Sequence, residues 1–246
     1  MSEPASPPIS LNDIGSRYLG ALQHLSDFMV LTWAGARGVN EQHYEEIFRT
    51  VSGLPSTQAR LPFAAAKAEG ERWWLKNSVA DVMSLLLVFL EDIRKVCGMI
   101  TFNVAKINAS GDLVALAALI NADLGPLDIP TRFKNLKERY QLGIPLEAEL
   151  MSLAAFHRCF THAGGVVPKG ASLTLHLKAI QPPPEGETQA RIGDYRRTWS
   201  AGERISLSRE EHAAVFTTAS VFLDSMLHAV QQFAKSSGLP ENPTHS

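Results

Sequence analysis

The residues of this chain best suited to chemistry are crowded into one stretch, Met151 to Val167, which carries His157, Arg158, Cys159 and His162 and runs into Gly164-Gly165. An imidazole titrates near neutrality and both takes up and releases protons, while a guanidinium is a permanent cation that grips phosphate oxygens. Together they suit acid–base work on a phosphodiester without a metal. That work needs a base for the attacking hydroxyl, an acid for the departing oxygen, and positive charge beside the crowded phosphorus. Paired glycines close a helix by adopting left-handed backbone angles, so the stretch predicts the end of a helix running from about Leu146 to His162. The dipole at that end favours a protonated imidazole. Arg158 and His162, four apart, share a helix face, whereas His157 and His162, five apart, diverge by about 140°. Each residue also has a structural role open to it. His162 can bond terminal carbonyls, Arg158 can pair with Glu147 or Glu149, His157 can sit satisfied at the core edge, and Cys159 can be a small apolar filler.

A helix presenting such a cluster must be held by others. Ser10 to Asp13 reads as a capping box, followed by Ile14, Tyr18, Leu22, Leu25 and Met29 at helical spacing to about Ala34. Asn40 heads a short helix from Glu41 to Val51. Beyond a looser segment with Pro55 and Pro62, a wide apolar stripe from Arg72 to about Ile107 predicts the central helix of a bundle. Leu113 to Ala122 predicts another buried helix. Thr131 is placed to cap Arg132–Tyr140, a helix with a Phe133, Leu136 and Tyr140 stripe and charge from Arg132, Lys134, Lys137 and Arg139, stopped at Gly143. Pro145 suits the first turn of the next helix. The period then changes to two at Ser172–Lys178, a strand, with Ala190–Trp199 following and a turn plus a further short strand at Ala201–Leu207. Ser208 to Glu211 is a capping box opening a final helix to about Lys235. The organisation expected is a disordered leader at 1–9, one helical-bundle domain at 10–235 with a β insertion at about 171–207, and a flexible tail at 236–246.

Composition narrows the classes. A chain of 246 residues with 45% hydrophobic content buries a sizeable core, and a net charge of -2 excludes bulk-charge attachment to nucleic acid or membrane. The apolar run Val82–Leu90 is far short of a membrane span, and the first residues lack the charged and apolar regions of a signal peptide. Cys97 and Cys159 show no metal-knuckle spacing, which points to a reducing, cytoplasmic setting. No cofactor is expected, and no metal: a zinc set of His157, Cys159, His162 and His176 has none of the spacings of a structural zinc motif. Phosphate-cradling glycine loops, serine-nucleophile elbows and carboxylate–metal motifs do not occur.

A second set of residues lies on the β segment. Arg191, Arg196 and Arg197, with Arg204 and Arg209 beyond and Tyr195 and Trp199 interleaved, are the types that follow a nucleic-acid backbone and stack a base. A solvated hairpin with an amphipathic aromatic face uses the same residues.

Phe133-Lys-Asn-Leu-Lys-Glu-Arg-Tyr-Gln-Leu-Gly-Ile144, the helix to Cys159, the ending Thr161-His-Ala-Gly-Gly-Val-Val, and Gly202-Glu-Arg-Ile-Ser-Leu-Ser with its terminal helix together resemble HEPN domains, over about residues 72 to 235. The resemblance implies a mainly α helical bundle that forms a homodimer, here through the 151–165 helix. Many members are metal-independent endoribonucleases of toxin–antitoxin or phage-defence systems. RNA and an antitoxin or other protein partner are implied with them. The family signature is an arginine with a histidine five positions on. In this chain His162 takes the histidine position, His157 the arginine position, and Arg158 the position where asparagine is common. The resemblance therefore implies His162, His157 and Arg158 as the catalytic set; Arg191, Arg196, Arg197, Tyr195 and Trp199 stand as RNA-contact candidates on residue type alone. A catalytically silent HEPN-like dimerisation or interaction protein is the alternative, and an unrelated helical interaction protein a third reading.

Overall fold

The computed structural model of the protein describes residues 11–51, 61–102, 128–183 and 188–237. The expected leader, the helix expected at 113–122 and the tail beyond 237 lie outside the described residues. Those described form α1 (Leu11–Gly38), α2 (Glu41–Val51), α3 (Phe63–Thr101), α4 (Ile129–Tyr140), α5 (Glu147–His162), β1 (Leu173–Gln181), β2 (Arg191–Trp199) and α6 (Arg209–Ser236). The fold is mainly helical, with one two-stranded antiparallel sheet before the C-terminal helix.

Local chemistry moves several boundaries. α3 begins at Phe63, nine residues before the apolar stripe becomes legible, because Pro62 fixes an extended entry and the Ala64-Ala-Ala66 run continues as helix. The cap of α4 is Asp128, whose carboxylate accepts the Thr131 N–H at 2.8 Å; Thr131, expected as the cap, lies inside the first turn behind Pro130. That helix ends on Gln141 in the left-handed region (φ 52) rather than at Gly143, and Leu146 takes the same conformation (φ 50) ahead of α5. The short strand expected within 201–207 is a single bridge, Val166 to Arg204.

α3 packs against α1, α4, α5 and α6, so its stripe is covered on several sides. Phe89, Phe133, Phe156 and Phe222 are fully buried, and Phe222 meets Phe89 and Phe133 with ring centroids 6.2 and 5.9 Å apart. Burying each such ring stabilises by roughly 1.5–3 kcal/mol before packing effects. The helix α6 alone among the described residues is long and apolar enough to cross a membrane, yet Val215, Ala219, Phe222, Leu223, Met226 and Val230 on it belong to the core.

Polar ties fix the helices in register. Arg94 holds Glu91 through Nη2 (2.6 Å) and Nε (3.1 Å), and Arg132 reaches the same carboxylate at 2.8 Å. Burial raises the Glu91 pKa, but the bond and charge of Arg94 and the charge of Arg132 outweigh it and hold the carboxyl low. Arg132, expected only to supply charge on its helix, is thus a buried link between α3 and α4.

The hairpin is held from outside by hydroxyls. Ser152 on α5 accepts the His176 N–H (2.9 Å) and donates to the His176 carbonyl (3.0 Å); Thr218 on α6 accepts the Lys178 N–H at 2.8 Å. The open edge of β1 therefore has its backbone groups satisfied by two flanking helices, the usual need of an edge strand.

Candidate functional site

The geometry at the end of α5 follows from its glycines. Gly164 (φ 59) and Gly165 (φ 74) turn the chain back, and the N–H groups of Ala163 and Gly165 both bond the Cys159 carbonyl, at 3.1 and 3.0 Å. A side chain at Gly165 would press within 3.3 Å of the Phe160 ring. The turn is then stitched to the segment before α6 through Ile205 N–H to the Gly165 carbonyl (2.8 Å) and Val167 N–H to that of Glu203 (2.9 Å). Phe156, fully buried, packs on Phe160 and Trp199 at 4.9 and 5.5 Å and fixes the rotation of the helix.

That rotation turns Met151, Ala155, Arg158 and His162 to solvent along one stripe. His162 is exposed and His157 half-buried. Burial first, and then the charges of His162 and Lys76, hold the His157 imidazole below its ordinary range. The charges of His162 and of Lys76 on α3 are thus felt at His157 despite the angular offset of the two imidazoles. Arg158 leans electrostatically toward Asp128 at the start of α4, a carboxylate kept low chiefly by hydrogen bonding from Thr131 and further by Arg158 and Arg132. The carboxylates expected for Arg158 are engaged elsewhere: Glu147 with Lys137 at 2.9 Å, Glu149 with Lys178 at 3.2 Å.

Lys76 also borders an open cleft of about 260 Å³, lined besides by Glu69, Arg72, Trp73, Phe160, Arg204 and the Gly164–Gly165 turn. Trp73 is 66% exposed there, a large flat ring left in water. Arg72 is paired with Glu69 at 2.5 Å. Arg72, Trp73 and Lys76 were missed as site residues from the sequence. Their signal is the spacing of 72 and 76, which sets both cations on one face of α3, but a helix face reveals its neighbour only once α5 is docked.

The residues of the β segment are divided by strand alternation. Tyr195 and Arg197 turn inward to Glu211: the Tyr195 hydroxyl donates to its carboxylate, and Arg197 Nη1 lies 2.9 Å from both oxygens. Trp199 is 3% exposed, with the Arg197 guanidinium 4.6 Å above its ring. Arg196 faces outward, and Arg191 lies at the far end of the hairpin beside Ile180 and Phe216. The five residues do not share one surface.

Nor are His157, Cys159, His162 and His176 gathered as metal ligands; among the described residues the group able to hold a metal is Glu149, His176 and Asp194. Cys97 and Cys159 are both buried thiols, and burial pushes Cys97 up to about 12. Comparison of the chain with protein-family models, curated proteins and solved structures gives no match.

Proposed function

We propose that this protein is a cytoplasmic HEPN-like domain protein that cleaves or binds RNA without a metal, as a homodimer through α5, in a toxin–antitoxin or phage-defence type system. The feature that carries the reading is a half-buried His157 that feels the charges of His162 and Lys76, with Lys76 also lining a cleft that holds Arg72, Arg204, Glu69 and an exposed tryptophan. The half-buried His157 is disfavoured as a cation and is neutral near pH 7, so its lone pair serves as base. It takes the proton of a ribose 2′-hydroxyl as that oxygen attacks phosphorus. The phosphorus–O5′ bond breaks, and His162, open to solvent, delivers a proton to the departing oxygen. Lys76 neutralises charge gathered on the phosphorane, with Arg158 of either copy as a second phosphate ligand. Trp73 offers a face on which a base stacks.

The test is cleavage of single-stranded RNA in EDTA by the wild type, His162→Ala and His157→Ala. Each variant is expected to lose roughly 10²–10⁴-fold in rate, the usual contribution of a general acid or base. A folded wild type inert toward all RNA tried rejects catalysis. The alternative, a silent HEPN-like interaction protein, is favoured by one feature: Tyr195, Arg197 and Trp199 are consumed by internal packing and do not reach for RNA.

A further inference from the structure

A second polar cluster lies near the other end of α5, at Glu149, about 20 Å along the helix from His162 by the rise per residue. Glu149 reaches across to the outer face of the hairpin, where it meets His176 and Lys178 of β1 and Asp194 of β2. Glu149 is buried and His176 nearly so, with side-chain exposures of 9% and 13%.

The cluster is incompletely satisfied. His176 Nε2 lies 3.7 Å from Glu149 Oε1 and 3.5 Å from Asp194 Oδ1, and this buried nitrogen has no hydrogen-bond partner. Lys178 Nζ lies between the carboxylates, 2.5 Å from Asp194 Oδ1 and 3.2 Å from Glu149 Oε1. Two carboxylates against one ammonium leave a negative charge over. An orphaned buried ring nitrogen is costly, and the surplus negative charge is shared between buried Glu149 and Asp194, whose side chain is 58% exposed and opens the cluster to solvent.

A divalent ion resolves both deficits. One imidazole nitrogen and two carboxylate oxygens, mutually within 4.8 Å, are a mixed nitrogen and oxygen ligand set of the kind zinc accepts. Zinc at about 2.0–2.1 Å from each ligand sets neighbouring ligands roughly 3.3 Å apart, close to the 3.7 and 3.5 Å that separate His176 Nε2 from the two carboxylate oxygens. We propose that Glu149, His176 and Asp194 form a three-ligand site for a zinc-class divalent cation, with a fourth position open and the Lys178 ammonium holding the place when the metal is absent. The lysine's flexible stem lets it swing outward as the ion enters, carrying its proton with it. Two of the ligands come from the paired strands and one from α5, so the ion clamps the hairpin to the helix that bears the His157–His162 pair. Backbone already converges there: the Ser152 hydroxyl bonds both the N–H and the carbonyl of His176 and so fixes its position.

The experiment titrates the full chain, stripped with chelator, with zinc chloride by calorimetry and with cobalt chloride by visible absorption. Expected are one saturable equivalent and the intense d–d bands of a four-coordinate cobalt ion, both lost in His176→Gln and Glu149→Gln. Lys178→Met removes the competing cation and is expected to bind roughly ten-fold tighter, a gain that misfolding cannot imitate. A wild-type chain that takes up no zinc overturns the site whatever Lys178→Met does. Uptake unchanged in His176→Gln overturns it equally, assigning the ion to another histidine. None of these readings depends on RNA cleavage, so the site stands or falls apart from the nuclease reading.

Discussion

His212 shows at the scale of one residue how burial sets chemistry. Its ring has no exposed surface, contacts the Ser78 hydroxyl through Nε2, and lies against Trp33, Trp74 and Phe216 with centroids 5.8, 6.1 and 5.3 Å away. Burial pushes its pKa down to about 4 from 6.5. The folded form therefore keeps the ring neutral while the unfolded chain takes up a proton below about pH 6.5, so this contribution to stability is whole above pH 6.5 and shrinks as pH falls toward 4. The total is on the order of 3 kcal/mol. Urea denaturation at pH 7 and pH 4.5 should show His212→Phe losing less stability over that interval than the wild type does. An identical loss in both would mean the ring is hydrated. His157 differs in kind: it too is held low, yet it is only half-buried and feels the charge of Lys76, itself a residue of the cleft wall, which is why it and not His212 enters the functional reading.

At the scale of elements, the hairpin is the part least able to stand alone, since two strands are marginal in water. Leu175 and Leu177 bury its inner face, and the hydroxyls of Ser152 and Thr218 satisfy its edge. Thr218→Val keeps the volume and removes the acceptor of the Lys178 N–H. It should cost about 1–3 kcal/mol, and the Lys178 amide should exchange its hydrogen faster than its strand neighbours. Unaltered exchange at Lys178 would show the bond to be incidental. Glu211 carries a comparable burden on α6, receiving Arg197 and Tyr195 while its second oxygen closes the capping box with the Ser208 N–H at 2.6 Å.

For the whole molecule, the open matter is what covers the exposed stripe of α5. Met151 is 38% exposed, and the small Ala155 lies between it and Arg158, a spacing that lets a second helix come close. The proposed homodimer predicts twice the chain mass by light scattering, and Ala155→Arg, which adds bulk and charge at the centre of the stripe, should give a monomer with unchanged helical circular dichroism. RNA cleavage should fall with it if each site draws on both copies. A wild type that is monomeric at tens of micromolar would remove the dimer from the functional reading.

The mainly helical class, the helices around 14–34, 41–51, 72–107 (which ends at Thr101), 132–140 and 146–162, and the capping box at Ser208 were legible in the sequence, because apolar periodicity and cap chemistry act over a few residues. The two paired strands were legible for the same reason, as was the closing turn at Gly164–Gly165, whereas the short strand expected within 201–207 is only a single bridge. The burial of Arg132 as a partner of Glu91 was not, since it depends on a carboxylate 41 residues away on another helix. The same holds for Lys76 beside His157 and for Glu149, His176 and Asp194 around Lys178. Residue types and local periods determined which groups this chain possesses and which helix carries its histidines. Which cations, carboxylates and rings those groups face was decided by the packing of α3, α5 and the hairpin, because side chains distant along the chain become neighbours only when their apolar faces are buried together.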